Sequence, residues 1–500
     1  MDLTNTPKVT LGVVGVSRDC FDVSLTRRRL TKLMAALKRR GVAAERCRVV
    51  IETETDVLRA LDELLKKGCN AAVVYLGNFG PEGPATMFVE RFGGPVMFCA
   101  AAEENKSVLA MDRGDALCGL LNASYNLNLR CLGAYIPQVP VALPGDLAGR
   151  IADFVDIARV IVGVANLKIF SFGPRPQDFL ACNAPIQPFY DMGVEVMENS
   201  ELDLLMAFEA AASKKKEIRA VASDMRKELG RKGNTYPDML PKLAQFEVAL
   251  LDFMADNLGA SQFGIFANKC WPSFEPAFGF VPCYVNSRLA GRGIPVACEV
   301  DLYGALSEYI AQLASLGPVT LLDINNSVPD DVIDRGTDIL AGATMQDLFM
   351  GFHCGNTPSS CMADCSIKYQ VIMHRLMEGD KAPNITRGTL EGRIRPGPIT
   401  FFRLQGTPDC QLRSYIAQGE VLDVAPCSFG AIGVFAIPHF ARFYRHALIG
   451  KAFPHHGAVA FRNVGKVLFE AVSLLGVDDI SVPLPDHLPY EGENPFELFG

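Results

Sequence analysis

The second half of the chain carries acids and histidines whose side chains could together bind a metal ion. These residues are Glu275, Glu299, Asp301, His353, His455 and His456. Carboxylates and imidazoles bind Mn²⁺, Fe²⁺, Co²⁺ or Zn²⁺, and carboxylates beside such a metal can also move protons. The combination suits an enzyme that shifts a proton between adjacent carbons of a metal-chelated sugar.

The chemistry of an aldose–ketose interconversion explains why these residue types belong together. The reaction removes a proton from one carbon and returns it to the neighbouring carbon. A metal chelated by the carbonyl and the adjacent hydroxyl stabilises the enediolate, and a carboxylate can shuttle the proton. Ligands that come from separated loops are typical of a catalytic site with open coordination positions.

Each residue alone also has an ordinary structural explanation. Glu275 could be a solvated loop acid, and Glu299 and Asp301 could cap a helix that starts near Leu302. His353 alone is more often a buried structural histidine than a ligand. Only the joint pattern favours a site.

The order of strand and helix patterns along the chain predicts how these residues are positioned. It predicts two doubly wound parallel-sheet α/β domains followed by a C-terminal, mostly antiparallel β-barrel-like domain. We expect an N-terminal α/β domain at 1–165, a central α/β domain with the acids at 166–345, and a β-rich domain with the histidines at 346–500. Buried strands alternate with helices in the first segment. Beyond about residue 345, β signals with Gly/Pro turns replace helical periodicity.

Two local predictions concern the central domain. The strand 293–298 delivers Glu299 and Asp301 at its C-terminal end, and a strand places residues i and i+2 on one face. A long helix is expected over about 201–228. In the first domain no GxGxxG opens a helix, yet ligands favour strand ends there, so Arg18 is a possible substrate contact as well as a surface arginine.

Composition excludes several classes of function. The 500 residues are 49% hydrophobic and 21% charged, with a net charge of −8, which argues against nucleic-acid binding. No stretch is apolar and long enough for a bilayer, and the N-terminus lacks a signal-peptide pattern. Fifteen scattered cysteines are typical of reduced thiols. We therefore expect a cytoplasmic protein without a membrane partner.

Several of these motifs resemble the L-arabinose and L-fucose isomerases. The run from Phe274-Glu275 through Pro282 and Gly293 to Glu299-Val-Asp301 is similar to the central block of the arabinose enzymes. His456-Gly-Ala-Val is similar to an Asn-His-Gly-Val segment of the fucose enzymes. The Gly-Phe-His at His353 is similar to a Gly-Ser-His of the arabinose enzymes.

The resemblance implies an aldose–ketose isomerase that depends on Mn²⁺, with Co²⁺, Fe²⁺ or Mg²⁺ also compatible. It implies a homo-oligomer, a hexamer or trimers, with sites at subunit interfaces. Glu275 and Asp301 would bind the metal and transfer the proton, and His456 would be the imidazole ligand. His353 would be a further ligand on the arabinose pattern. The two families differ on whether Glu299 or Asp301 binds the metal, so both stay candidates.

The expected substrate is a free pentose or 6-deoxyhexose such as L-fucose or L-arabinose. Trp271, His455 and Arg18 are the candidate substrate contacts, although Trp271 could equally be a hydrophobic anchor. A phosphorylated sugar is an alternative substrate, because Lys269, Arg288 and Arg292 lie near the candidate ligands in the sequence. Two other hypotheses are an inactive sugar-binding or regulatory protein on the same scaffold, and a metal-dependent sugar epimerase or lyase.

Overall fold

The computed structural model describes residues 5–109, 112–183, 185–333, 342–494 and 496. They fall into two compact units. The N-terminal unit comprises Pro7–Gly163 with Glu470–Leu475, and the main unit comprises the rest of the described chain. Within the described ranges, no helix is both long enough and apolar enough to cross a membrane.

The N-terminal unit is built on a five-stranded parallel sheet of order β2-β1-β3-β4-β5. Its elements are β1 (Leu11–Val16), α1 (Val23–Arg39), β2 (Ala44–Ile51), α2 (Glu54–Lys66), β3 (Ala71–Leu76), α3 (Glu82–Phe92), β4 (Val96–Ala101), α4 (Ala116–Leu129), β5 (Val141–Ala142) and α5 (Pro144–Val164). Every residue of β1, β3 and β4 is buried, as expected for a parallel sheet covered on both faces. The predicted doubly wound arrangement is confirmed.

The main unit begins with a four-stranded parallel sheet of order β7-β6-β8-β9. Its elements are β6 (Leu167–Phe172), α6 (Gln187–Asp191), β7 (Glu195–Asn199), α7 (Glu201–Ala211), α8 (Lys215–Gly233), α9 (Leu240–Asn257), β8 (Phe263–Ala267), α10 (Phe274–Phe278), α11 (Cys283–Gly291), β9 (Val296–Ala297) and α12 (Leu302–Ser315). The second predicted parallel sheet is therefore confirmed.

The long helix expected over 201–228 is wrong, because the segment forms two helices. α7 ends at Ala211 and α8 begins at Lys215. At the break the Ser213 hydroxyl donates to the Ala210 carbonyl oxygen, 2.9 Å away, and such local bonds compete with helix continuation. Lys214 has non-helical dihedral angles (φ −83°, ψ 53°).

The C-terminal part of the main unit is a closed, mostly antiparallel barrel. Its elements are β10 (Val319–Ser327), β11 (Leu348–His353), β12 (Met362–Tyr369), α13 (Val371–Met377), β13 (Arg387–Ile394), β14 (Gly397–Gly406), β15 (Leu412–Val421), β16 (Ala431–Ala436), α14 (Phe440–Phe443), β17 (His456–Ala460), α15 (Gly465–Leu474) and β18 (Asp479–Ser481). Strands pair in the order β12-β13-β16-β11-β10-β17-β14-β15-β18, and β16 also pairs with β15. This last pairing closes the barrel and confirms the predicted β-barrel-like domain.

Candidate active site

Glu299 projects from a tight turn rather than from a strand. β9 ends at Ala297, and the next three residues form a 3₁₀ turn. Glu299 (φ 54°) and Val300 (φ 58°) both adopt left-handed backbone conformations, which are strained, above all for a β-branched residue. The Val300 N–H donates to the Asn268 carbonyl oxygen at 2.9 Å and holds the turn. The expected strand that would place Glu299 and Asp301 on one face is therefore wrong.

Asp323 completes the site, and the sequence analysis missed it. It lies in β10, which pairs with β17 on one side and β11 on the other. The register places Asp323 opposite His456 in β17 and opposite Phe352, the neighbour of His353, in β11. An acid inside the apolar run Val-Thr-Leu-Leu-Asp-Ile was the available signal.

We call the group formed by Glu299, Asp323, His353, His455 and His456 the carboxylate–histidine cluster. The Nε2 atom of His456 lies 3.6 Å from Oε2 of Glu299 and 3.3 Å from Oδ1 of Asp323. Both carboxylate oxygens are buried and have no hydrogen-bond partner among the described residues, which is costly unless a cation or proton is supplied. Two orphaned carboxylate oxygens converging on one imidazole nitrogen fit a divalent cation.

A buried ion pair orients His456. Its Nδ1 lies 2.9 Å from Oδ2 of Asp301, so we infer that Nδ1–H donates to Asp301 and the Nε2 lone pair faces the cluster. Arg403 binds both oxygens of Asp301, at 2.5 and 2.9 Å. The Gly304 N–H donates to Asp301 at 2.8 Å, so Asp301 also caps α12, as the structural alternative expected.

The electrostatics of this pair follow from its contacts. Burial would raise the pKa of Asp301, but Arg403 and His456 hold that pKa well below its usual value. Burial would likewise lower the pKa of His456, but its hydrogen bond to Asp301 and the nearby negative charge of Asp323 raise it well above normal. The carboxylates therefore favour positive charge at His456, whether a proton or a metal brings it.

Two glycines make room for this arrangement. A Cβ at Gly304 would lie 2.5 Å from Oδ2 of Asp301. A Cβ at Gly457 would lie only 2.1 Å from the Phe401 ring. The glycines beside the acid pair and after the histidine pair are therefore explained by packing.

The other two histidines of the cluster differ from His456. Nδ1 of His353 accepts the Cys354 N–H at 2.9 Å, so we infer that the proton is on Nε2, which lies 3.8 Å from Oε2 of Glu299. Burial lowers the pKa of His353 to about 4. Nε2 of His455 lies 3.8 Å from Oδ1 of Asp323, and burial lowers its pKa to about 4 as well. Both histidines are neutral at physiological pH.

The two carboxyl groups of the cluster differ in acidity. Burial raises the pKa of Glu299 to about 7, although His456 lowers it. Burial would raise the pKa of Asp323 too, but the nearby imidazoles of His456, His353 and His455 bring it below its usual value. One carboxylate that stays ionised beside another that titrates near neutrality is a pattern suited to acid–base work.

Glu275 lies outside this group. It is fully buried on α10, and in the described ranges neither of its carboxyl oxygens has a hydrogen-bond partner. Burial raises the pKa of Glu275 to about 8. Within the described part of the chain, Glu275 is in none of the three groups whose donor atoms lie within 4.8 Å of one another. Trp271 is half-buried in the turn before α10.

The remaining basic residues that the sequence suggested as substrate contacts form ion pairs with acidic side chains. In the N-terminal unit, Arg18 lies 3.5 Å from Glu82 and over the Phe79 ring. In the main unit, Lys269 pairs with Glu201 at 3.0 Å. Arg288 and Arg292 both bind the buried Glu247, at 2.7 and 2.6 Å.

Comparisons with known proteins agree with this architecture. The family model described as "Fucose/sulfoquinovose isomerase, N-terminal domain" matches residues 12–165, and the model described as "L-fucose isomerase, C-terminal domain" matches residues 351–481. Together these matches span more than half of the chain.

Curated relatives point the same way. A sulfoquinovose isomerase of Alkalicoccus urumqiensis is 24% identical over 67% of this chain and 69% of its own length. One of Clostridium sp. (strain MSTE9) is 28% identical over 55% of both chains. A third, of Priestia aryabhattai, is 22% identical over 66% of this chain and 68% of its own.

The family models and the similar proteins show that this chain is of the aldose–ketose isomerase class of sugar enzymes. Its two parallel sheets, closed barrel and buried carboxylate–histidine cluster agree with that class. Within that class, this chain belongs to the fucose isomerase-like family.

Proposed function

We propose that this isomerase is metal-dependent and that its substrate is sulfoquinovose, a 6-deoxyhexose that carries a sulfo group. The observation that carries the metal dependence is the convergence of two orphaned carboxylate oxygens, of Glu299 and Asp323, on Nε2 of His456. The substrate proposal rests on the relatives, whose printed names specify sulfoquinovose.

Glu299, Asp323 and His456 would hold the metal. When bound, Mn²⁺, or Co²⁺, Fe²⁺ or Mg²⁺ in its place, would polarise the sugar carbonyl and its adjacent hydroxyl. We propose Asp301 as a positioning residue rather than a ligand, because both its oxygens already accept hydrogen bonds from Arg403, Gly304 or His456. His353 would donate its Nε2–H towards Glu299 or a sugar oxygen.

Proton transfer would fall to the two carboxyl groups of the cluster. Before a cation binds, burial makes Glu299 the more basic of the two groups, whereas the imidazoles keep the pKa of Asp323 below its usual value. The backbone strain at Glu299 and Val300 fixes the direction of the Glu299 side chain. Burial of the cluster excludes water, which protects an enediolate from side reactions.

A sulfonated substrate requires a positive charge that is not already neutralised. Lys269 and Arg403 are both paired with acids. Arg175, on the loop after β6, is half-buried, and within the part of the chain that the structure describes its Nε has no hydrogen-bond partner. The same loop brings the Phe179 ring to 5.5 Å from His455 and Cys182 Sγ to 3.7 Å from His456. We propose that Arg175 binds the sulfonate.

The test is an isomerisation assay of the purified chain, stripped of metal and reloaded with Mn²⁺. The panel contains sulfoquinovose, L-fucose, L-arabinose and the unsulfonated 6-deoxyglucose. We expect ketose formation from sulfoquinovose only with metal, whereas turnover without metal would contradict the metal dependence. Product analysis distinguishes an isomerase from an epimerase or lyase. The cytoplasmic location and the hexamer or trimer implied by the resemblance stay predictions.

A further inference from the structure

Helix α4 of the N-terminal unit exposes a continuous apolar stripe. Its members are Leu117, Leu121, Tyr125 and Leu129, which are 64%, 67%, 65% and 61% exposed. Residues four apart lie on one face of a helix, and at 1.5 Å per residue these four span roughly 18 Å. We call this surface the α4 stripe. A contiguous apolar patch of this kind marks an interaction site more often than a bare surface.

The stripe is not needed to hold α4 in place. The opposite face of the helix is buried through Ala116, Leu120, Ala123 and Leu127. At Gly119 the helix backbone approaches so closely that a Cβ would lie 1.8 Å from the Phe79 carbonyl oxygen. The helix is therefore anchored by one face, and the stripe is left for another partner.

The absence of charge distinguishes α4 from the other exposed helices of this unit. None of the 14 residues from Ala116 to Leu129 is charged, although the chain as a whole carries a net charge of −8. α2 also exposes two leucines, Leu58 and Leu65, but Arg59, Asp62 and Lys66 lie between or beside them. A neutral stripe lets two copies of an acidic chain approach each other.

We propose that the α4 stripe forms the centre of a two-fold interface between two copies of this chain, in which the two α4 helices pack antiparallel. An isologous contact needs a self-complementary surface, and both ends of α4 supply one. Arg113 and Asp115 lie at its start, and Glu90 and Arg130 at its end, where they form exposed pairs within the chain. Antiparallel packing brings Asp115 of one copy beside Arg130 of the other.

The area of the stripe agrees with an interface core. Four side chains exposed to this extent amount to on the order of 500 Å² per copy, against about 800 Å² per partner in a specific interface. Polar residues beside the stripe, such as Asn128, would form part of the rim. The α4 stripe has no charged residue that could pair with a strongly charged partner, so a second copy of this chain fits it better.

The first test measures the mass of the purified full chain by sedimentation equilibrium at micromolar concentrations. We expect an even-numbered oligomer, and we expect Leu121→Glu to halve its mass. Leu58→Glu is the matched control, since Leu58 is 52% exposed in the same unit, and it should leave the mass unchanged. Melting curves check that both variants fold. A monomeric wild-type chain, or an unchanged mass in Leu121→Glu, would overturn the proposal.

The second test addresses the antiparallel orientation. Asp115→Arg and Arg130→Asp each place like charges together across the interface, and each should weaken association by about tenfold. Asp115 makes no side-chain capping bond to α4, so its replacement should not unravel the helix. The double variant should restore association. If it associates no better than the single variants, the antiparallel arrangement is wrong.

Discussion

The carboxylate–histidine cluster and the Glu275 pocket both bury carboxyl oxygens that have no hydrogen-bond partner, yet they differ in what surrounds those oxygens. In the cluster, Glu299 and Asp323 face the imidazole of His456 within 3.6 Å. Glu275 instead feels the negative charge of Glu201 and Glu378, which adds to the effect of burial in raising its pKa. An unpartnered buried carboxyl group is thus insufficient to define a metal site. Imidazole and a second carboxylate must converge on it.

The supporting contacts differ in the same way. His456 is oriented by Asp301, which Arg403 holds with two hydrogen bonds. No described contact orients the carboxyl oxygens of Glu275, and its pKa of about 8 keeps it a neutral acid over most of the physiological range. A site prepared for a cation has oriented ligands, whereas a neutral acid needs none.

The largest expected effect comes from neutralising the cluster itself. Glu299→Gln and Asp323→Asn should each lower kcat by about 10³-fold or more, because each removes a proposed metal ligand and a proposed proton-transfer group. Mn²⁺ affinity, measured by titration calorimetry, should fall as well. Glu275→Gln is the matched control and should retain activity within a few-fold. An equal loss in Glu275→Gln would break the comparison and support the catalytic role that the resemblance implied.

Asp301→Asn tests the support of His456. The change leaves the buried Arg403 guanidinium without its anion, which costs about 3–5 kcal/mol of the free energy of unfolding. Loss of the partner of a metal-binding histidine lowers metal affinity or activity by about 10–100-fold. Urea unfolding and Mn²⁺ titration measure the two effects. Asp301→Asn with Arg403→Met should recover stability but not activity, and recovery of both would contradict a positioning role.

Some residues of this site could be predicted from the sequence, and others could not. Glu299 and His456 lie in motifs whose residue types point to metal chemistry, so they could be named from the chain alone. Asp323 could not, because it sits inside an apolar strand and gains its role only through the pairing of β10 with β17, more than 130 residues away. Arg403 is likewise buried against Asp301 across about 100 residues.

Some parts of the fold could be predicted from the sequence and others could not. The alternation of buried strands and helices predicted both parallel sheets, since their strands are apolar throughout. The break between α7 and α8 is a local turn in which the Ser213 hydroxyl and the Lys214 N–H bond to the last carbonyl groups of α7. The turn at Glu299 depends on left-handed conformations that non-glycine residues rarely adopt. Neither follows from hydrophobic periodicity.

The pH dependence of the free energy of unfolding tests whether Glu275, unlike the carboxylate–histidine cluster, holds a neutral carboxyl group. Its pKa is raised from 4.5 to about 8 by burial. Between those values the folded chain keeps the proton and the unfolded chain loses it, so the stabilising protonation present at low pH is lost as the pH rises. We expect a loss of roughly 3–4 kcal/mol from pH 5 to pH 8 from this group.

Glu275→Gln should remove that contribution, because the amide does not titrate. Urea unfolding at pH 5 and pH 8 should show a smaller decrease in the free energy of unfolding for the variant than for the wild-type chain. Identical pH profiles would mean that Glu275 is ionised in the folded protein. In that case a positive charge near Glu275 would have to offset its burial, as in the cluster.

The smallest expected effect concerns two basic side chains, Lys269 near Glu275 and Arg175 near the carboxylate–histidine cluster. Lys269 is neutralised by Glu201, whereas Nε of Arg175, on the loop that reaches His456, has no hydrogen-bond partner among the described residues. Arg175→Gln should therefore lower kcat/KM for sulfoquinovose by about 10–100-fold, the loss of a charge-assisted pair, and leave unsulfonated 6-deoxyglucose unaffected. Arg226→Gln, an exposed arginine on α8, is the control. An equal loss on both sugars would make Arg175 a structural residue of the loop, and the sulfonate would then need another cation.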